Sequence, residues 1–199
     1  MGIQILRSLV SKGIFTKIDY ESFMATASTI SKKLYSDRSK LSKEDFLKVY
    51  GHLRPGTYDI LSSRYDETPD LYFNWKNRVQ PSQTPAEFSL SKEQFNEIQM
   101  LLREYEIQTD PTALLNFIRS TIELRELSKF EFSHNLSDAL QIMGKVGEEE
   151  NISLEDMAYC DIKIFQEMHA SARETGEALR QSIKVGKESY FQTCKLSLP

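Results

Sequence analysis

The stretch Tyr50-Gly-His-Leu-Arg-Pro-Gly-Thr-Tyr-Asp-Ile-Leu-Ser-Ser-Arg-Tyr-Asp-Glu67 interrupts a chain whose remaining pattern is helical. Arg54-Pro55-Gly56 is poor helix material, because Pro55 biases Arg54 toward extended backbone and Gly56 tolerates positive φ. A shaped loop over about 51–68 is therefore expected between helices, carrying His52, Arg54, Tyr58, Asp59, Arg64 and Asp66. Loops held on a rigid scaffold often carry binding and catalytic side chains.

On either side of this loop the sequence announces helix starts. A Ser or Thr is followed three residues later by Asp or Gln at Thr16/Asp19, Ser42/Asp45, Ser91/Gln94 and Ser153/Asp156. In a capping box the hydroxyl accepts the amide three residues on, and the side chain there reaches back to the cap amide. Each pair is framed by apolar residues, Phe15/Tyr20, Leu41/Phe46, Leu90/Phe95 and Ile152/Met157, the arrangement of a hydrophobic staple. Asp110-Pro111 is a fifth start, with Asp as cap and Pro at the first helical position. From it Leu114, Leu115, Ile118, Ile122, Leu124 and Leu127 keep a helical spacing to about Lys129. A sixth helix is expected over about 135–146, stopped at Gly147, and a polar closing helix over about 172–191 with Leu179, Ile183 and Tyr190 inward. No run alternates with a period of two. The expected fold is all-α, an irregular bundle of about seven helices. Pro81 and Pro85 mark 77–88 as a linker between an N-terminal helical unit (1–76) and a C-terminal one (89–199), the two forming one structural module.

The 40% hydrophobic and 27% charged composition is that of a globular chain, not a disordered one. A net charge of −4 without a basic stripe argues against nucleic acid or an acidic membrane as partner. Cys160 and Cys194 lie in no metal-type or redox-type spacing, which fits a reducing, cytoplasmic setting. No apolar run reaches the roughly 18 residues of a membrane span, and Met1–Val10 lacks the basic leader of a signal peptide. The three histidines have no chelating spacing, so no metal is expected on this chain.

Two segments carry a resemblance. Gly51-His52-Leu53-Arg54-Pro55-Gly56 followed by Ser62-Ser63-Arg64 resembles the Gly-His-Arg-Gly-Pro loop and Ser-Pro-Arg segment of phosphoenolpyruvate synthase-like phosphotransferases, with Ser63 where Pro is common. Arg125-Glu126-Leu-Ser-Lys129-Phe130 and the following Asn135–Leu140 are similar to the Arg-Glu helix of the same family's helical middle module. The wording of the first motif leans toward the glutamine-kinase-like branch, and the ordering of both fits that module across most of the chain. The resemblance implies a relay. An ATP-grasp module phosphorylates a histidine on a swivelling module, which delivers the phosphoryl group to an acceptor held on the helical module. No Gly-rich phosphate loop occurs here, and Ser133-His134 lacks the glycines of the family's carrier motif. The chain therefore corresponds to the acceptor module alone and is not expected to turn over by itself. ATP and Mg2+ belong on ATP-grasp and phosphohistidine modules supplied in cis or in trans, and the acceptor is a small molecule, an amino acid or a pyruvate-like acid.

Within that reading His52 is the candidate catalytic base, and Arg54, Tyr58, Asp59, Arg64, Asp66, Arg125 and Lys129 are candidate substrate-binding residues. Each has a plainer alternative. His52 is equally read as a histidine pinning the loop to a neighbouring helix, and Asp59 as its orienting carboxylate. Arg54 and Arg64 are forks for a carboxylate or phosphate, or internal locks such as Arg64 with Asp59 or Asp66. Arg125 and Lys129 share a helix face as a cationic wall, or are solvated charges beside Glu126. His169 and Glu148–Glu150 read as surface features. Leu71–Trp75 packs onto a core or forms a docking patch, and in the second case the chain is a non-catalytic interaction module.

Overall fold

The computed structural model describes residues 2–75, 88–167 and 174–196. Among these the fold is all-α, with ten helices and no strand: α1 (Gly2–Ser11), α2 (Lys17–Thr26), α3 (Ile30–Lys40), α4 (Lys43–Tyr50), α5 (Pro69–Tyr72), α6 (Lys92–Glu104), α7 (Pro111–Glu149), α8 (Leu154–Met157), α9 (Ile164–Glu167) and α10 (Thr175–Thr193). No helix of the described residues is long and apolar enough to cross a membrane.

The capping chemistry starts helices where it is expected. Thr16 and Ser91 make complete boxes with Asp19 and Gln94 ahead of α2 and α6. Ser42 Oγ accepts the Asp45 amide and donates to its carboxylate ahead of α4. Ser153 Oγ accepts the Asp156 amide, and the helix that follows, α8, is a single turn. Asp110 Oδ1 accepts the Ala113 amide at the start of α7.

The expected stop at Gly147 does not occur, and the two helices expected around residue 130 are one helix of 39 residues. Residues 130–134 hold neither Gly nor Pro, so nothing breaks the hydrogen-bond ladder between them. Gly147 serves packing instead: a Cβ there would come 2.6 Å from Met157 Cγ. The helix ends at Glu149, and two residues on Asn151 takes the left-handed conformation (φ 56) while the Ile152 amide bonds back to the Gly147 carbonyl at 2.8 Å. Leu124 and Leu127, assigned to the inner face, are exposed, as is Tyr190 of α10. The short α5 and α9 and the weakly patterned α3 carry little amphipathic signal, so periodicity alone does not find them.

Two compact units form, and each draws chain from both sides of the 77–88 segment. That segment, apart from Phe88, lies outside the described residues, as does His169. The first unit is Met1–Phe46 with Trp75–Glu131. Its core gathers Leu6, Leu9, Phe15, Phe23, Ile98, Leu102, Leu115 and Ile118. Phe88 closes it, 5.2 Å edge-on to Phe23 and 5.5 Å from Phe15. Trp75 is half-buried against Phe46 with centroids 5.7 Å apart, and Arg38 and Lys43 lie over its ring. Leu71, by contrast, is exposed.

The second unit is Leu47–Asn74 with Phe132–Pro199. Ile60 of the irregular loop enters its core with Leu140, Met143, Ile152, Met157, Leu179 and Ile183. Burying such side chains stabilises by about 1.5–3 kcal/mol each. The motif loop is therefore part of a core rather than an appendage.

Candidate functional site

Residues 51–68 form neither helix nor strand, yet the segment is tightly determined. It doubles back on itself through Tyr65 N–H to Leu53 O at 2.9 Å and Asp66 N–H to Gly51 O at 3.1 Å. Gly51 makes this possible, since a Cβ there would run into the Leu47 carbonyl and lie 2.9 Å from Asp66 Cβ. Asp59 Oδ1 accepts the Leu61 amide at 2.9 Å, shaping the outer turn, and the Ser62 hydroxyl accepts the Gly56 amide at 3.0 Å. Tyr72 Oη donates to Ser63 O at 3.0 Å and its ring lies 5.0 Å from Tyr65.

The doubled loop rests on α7 through two arginines with different surroundings. Arg64, 8% exposed, is fully paired. Its Nε and Nη2 donate to the two oxygens of Asp66 at 2.9 and 2.8 Å, and its Nη1 to Asp138 Oδ1 at 2.6 Å. Burial alone would pull the Arg64 pKa down, but the hydrogen bonds and charges of Asp66 and Asp138 outweigh it and raise the value. Asp138 in turn is held below the usual carboxylate range, chiefly by the Arg64 hydrogen bond. Its other oxygen faces His134 Nδ1 at 3.2 Å. The His134 ring lies against His52, tilted by 39° with 4.5 Å between centroids, and His52 is 3% exposed.

Arg54, 7% exposed, has no such partner. Its Nε donates to the Ser137 hydroxyl at 3.1 Å, and its terminal nitrogens reach the carbonyls of Ser137 and Asp59 at 3.4 Å each. No carboxylate of the described residues pairs with it. Burial lowers its pKa. The fields of Glu67, Asp59 and Asp66 oppose that shift, and Arg64 adds to it. A buried guanidinium held only by a hydroxyl and two carbonyls is short of counter-charge, and unpaired burial of a charge costs several kcal/mol.

Arg54 stands in the wall of a cleft of about 660 Å³ within the second unit. Loop residues Ile60, Leu61, Ser63 and Glu67 form one side. Leu140, Gln141, Gly144, Lys145 and Glu148 of α7 form another, and the turn 151–154 closes the end. Glu67 is anchored, accepting the Arg64 amide at 2.9 Å and Gln141 Nε2 at 3.1 Å. This volume suits a small ligand.

Of the residues singled out from sequence, Arg54 lines the cleft, while His52, Arg64 and Asp66 form the support beside it. Asp59 shapes the turn, and Tyr58 is exposed. Arg125 and Lys129 belong to the first unit. There Arg125 pairs with Glu126 at 2.9 Å and lines a cavity of about 140 Å³ with Gly2, Ile3 and Thr121, and Lys129 is exposed. Glu148, read as plain surface charge, lines the cleft, and sequence reasoning passed over Glu67, Ser137, Asp138, Gln141 and Lys145. One signal was present: His134, Asp138, Gln141, Lys145 and Glu148 follow each other at spacings of three or four, which puts them on one helix face. No group of three or more His, Cys, Asp or Glu among the described residues is arranged to hold a metal ion.

No protein-family model matches the chain, and neither does any curated protein or solved structure.

Proposed function

We propose that the chain is the acceptor-binding helical module of a phosphoenolpyruvate synthase-like, ATP-dependent phosphotransferase working through a phosphohistidine relay. The observation that carries this reading is Arg54: a buried guanidinium without a carboxylate partner, set in the wall of a cleft of about 660 Å³ and presented by the motif loop. Such a group is completed by an anionic ligand, and a carboxylate or phosphoryl oxygen fits its planar fork. Phosphoryl transfer depends mostly on positioning and charge neutralisation. In this reading the chain supplies both: Arg54 fixes the acceptor, and the Arg64–Asp66–Asp138 lock with the adjoining His52 and His134 keeps Arg54 in place. ATP and Mg2+ act on modules outside these residues, and the carrier histidine comes from a partner module.

The test has two arms. Calorimetric titration of the chain with amino acids, pyruvate and phosphoenolpyruvate is expected to give saturable binding that Arg54→Met weakens about tenfold to a hundredfold. With ATP and glutamine the chain alone is expected to form no product, and product is expected once ATP-grasp and phosphohistidine modules are added. Turnover by the chain alone refutes the module reading. Absence of any binding leaves the non-catalytic interaction module as the account of this fold.

A further inference from the structure

Resting on the reading of Arg54 as an anion receiver, we infer that Ser137 is its positioning residue. The Ser137 hydroxyl and carbonyl together hold one edge of the guanidinium and leave the opposite edge for a two-oxygen anion, a carboxylate or a phosphate. The two arginines of the loop put the same edge to two uses. In Arg64, Nε and Nη2 donate to the two oxygens of Asp66 at 2.9 and 2.8 Å, the side-on fork of a guanidinium on a carboxylate. In Arg54 the same pair, Nε and Nη2, meets the Ser137 hydroxyl at 3.1 Å and the Ser137 carbonyl at 3.4 Å. Ser137, 2% exposed, thus stands where a carboxylate would, with both oxygens and no charge.

The remaining donors follow from the bonds already made. Nη1 gives one N–H to Asp59 O at 3.4 Å, and Nη2 gives one to Ser137 O. A terminal guanidinium nitrogen carries a pair of N–H groups, so one is left on each. Such a pair on neighbouring nitrogens is the end-on fork, matched to two oxygens of one anion and poorly to a sphere such as chloride. Arg54 lines the cleft, and the edge turned from Ser137 is the one an anion there meets. The missing charge at 137 keeps the arginine receptive. A carboxylate at that position would neutralise Arg54 as Asp66 and Asp138 neutralise Arg64. An apolar residue would strand a buried Nε–H and free the guanidinium to turn.

The experiment follows the Arg54 side-chain N–H signals by heteronuclear NMR of the nitrogen-labelled full chain. They are identified by their loss in Arg54→Met and followed during titration with acetate, inorganic phosphate and chloride. Wild type is expected to shift saturably with acetate, phosphate or both and not with chloride. The tighter of the two tells carboxylate from phosphoryl recognition. Ser137→Asp is expected to weaken that anion about tenfold or more, and Ser137→Asn, equal in size but uncharged, by far less. Ser137→Ala is expected to move the Nε–H signal and weaken the anion a few-fold, and Ser137→Thr, which restores the hydroxyl, to return both. A merely structural serine would change the unfolding midpoint and leave anion affinity alone. Equal affinity in Ser137→Asp and Ser137→Asn overturns the inference while the reading of Arg54 stands. Should Ser137→Asp not fold, an unmoved signal and unchanged affinity in Ser137→Ala overturn it instead. Chloride binding as tightly as the oxyanions also overturns it. No saturable shift with any anion in wild type overturns both the inference and the reading of the cleft.

Discussion

Arg64 Nη1 donates to Asp138 Oδ1 at 2.6 Å, fastening the motif loop to a helix residue 74 positions later. Ten residues earlier in the same loop, Arg54 reaches the neighbouring helix position, Ser137, and finds a hydroxyl where Arg64 finds a carboxylate. That difference, carboxylate partners for one guanidinium and none for the other, is what the proposed function rests on, and Arg64→Met and Arg54→Met test it.

Arg64→Met removes three hydrogen bonds to carboxylates. Asp66 and Asp138 remain partly exposed, at 38% and 44%, and can rehydrate. The loss is therefore expected near 2 kcal/mol, below the roughly 3–5 kcal/mol of a fully buried pair broken on one side. Arg64→Lys keeps the charge without the fork and is expected to cost about 1 kcal/mol. Amide hydrogen exchange reads this locally: the Tyr65 and Asp66 amides, bonded to Leu53 and Gly51, should lose protection first.

Arg54→Met should behave in the opposite way. It replaces a buried charge lacking a counter-charge with an apolar chain of similar length, so the unfolding free energy is expected to stay within about 1 kcal/mol of wild type or to rise. Ligand affinity should fall about tenfold to a hundredfold, the worth of a charge-assisted fork. A large stability loss with intact binding would reverse the roles assigned to the two arginines.

The Asp138 carboxyl gives a pH signature. Chiefly through the Arg64 hydrogen bond, its folded pKa lies below the ordinary 3.8. A carboxylate depressed in the folded state contributes stability above its unfolded value, and that contribution is lost as pH falls through the folded value. The stability difference between wild type and Asp138→Asn, from urea titrations, is expected to shrink as pH falls below about pH 4. Arg64→Met should reduce this pH dependence, leaving the smaller part that comes from His134 and His52. Asp138 is nearly half exposed, so the effect is expected to be well under 1 kcal/mol.

Gly51→Ala tests the turn itself. The added methyl meets the Leu47 carbonyl and the Asp66 side chain, one of which is backbone and cannot swing away. A loss of about 1–3 kcal/mol is expected, as for overpacked sites. Because Asp66 also holds Arg64, the loop should shift and ligand affinity at Arg54 should fall with it. Intact binding in a folded Gly51→Ala chain would detach the motif loop from the cleft's function.

Helix starts were legible in the sequence because capping is local: Thr16 with Asp19 and Ser91 with Gln94 interact across three residues, whatever the rest of the chain does. The irregular loop was legible for the same reason, through Pro55 and its flanking glycines. The end of α7 was not, because a glycine signals a stop or a tight packing contact equally well, and Met157 settled which applied at Gly147. Nor could sequence distinguish Arg54 from Arg64, two arginines in one loop. Their roles depend on residues 83 and 74 positions away, brought alongside only when the loop packs on α7. The sequence by itself determined where helices begin and where the chain must bend, since those follow from neighbours along the backbone. Tertiary structure alone decided which guanidinium meets carboxylates and which meets only a hydroxyl and two carbonyls, because that depends on contacts the backbone makes only after folding.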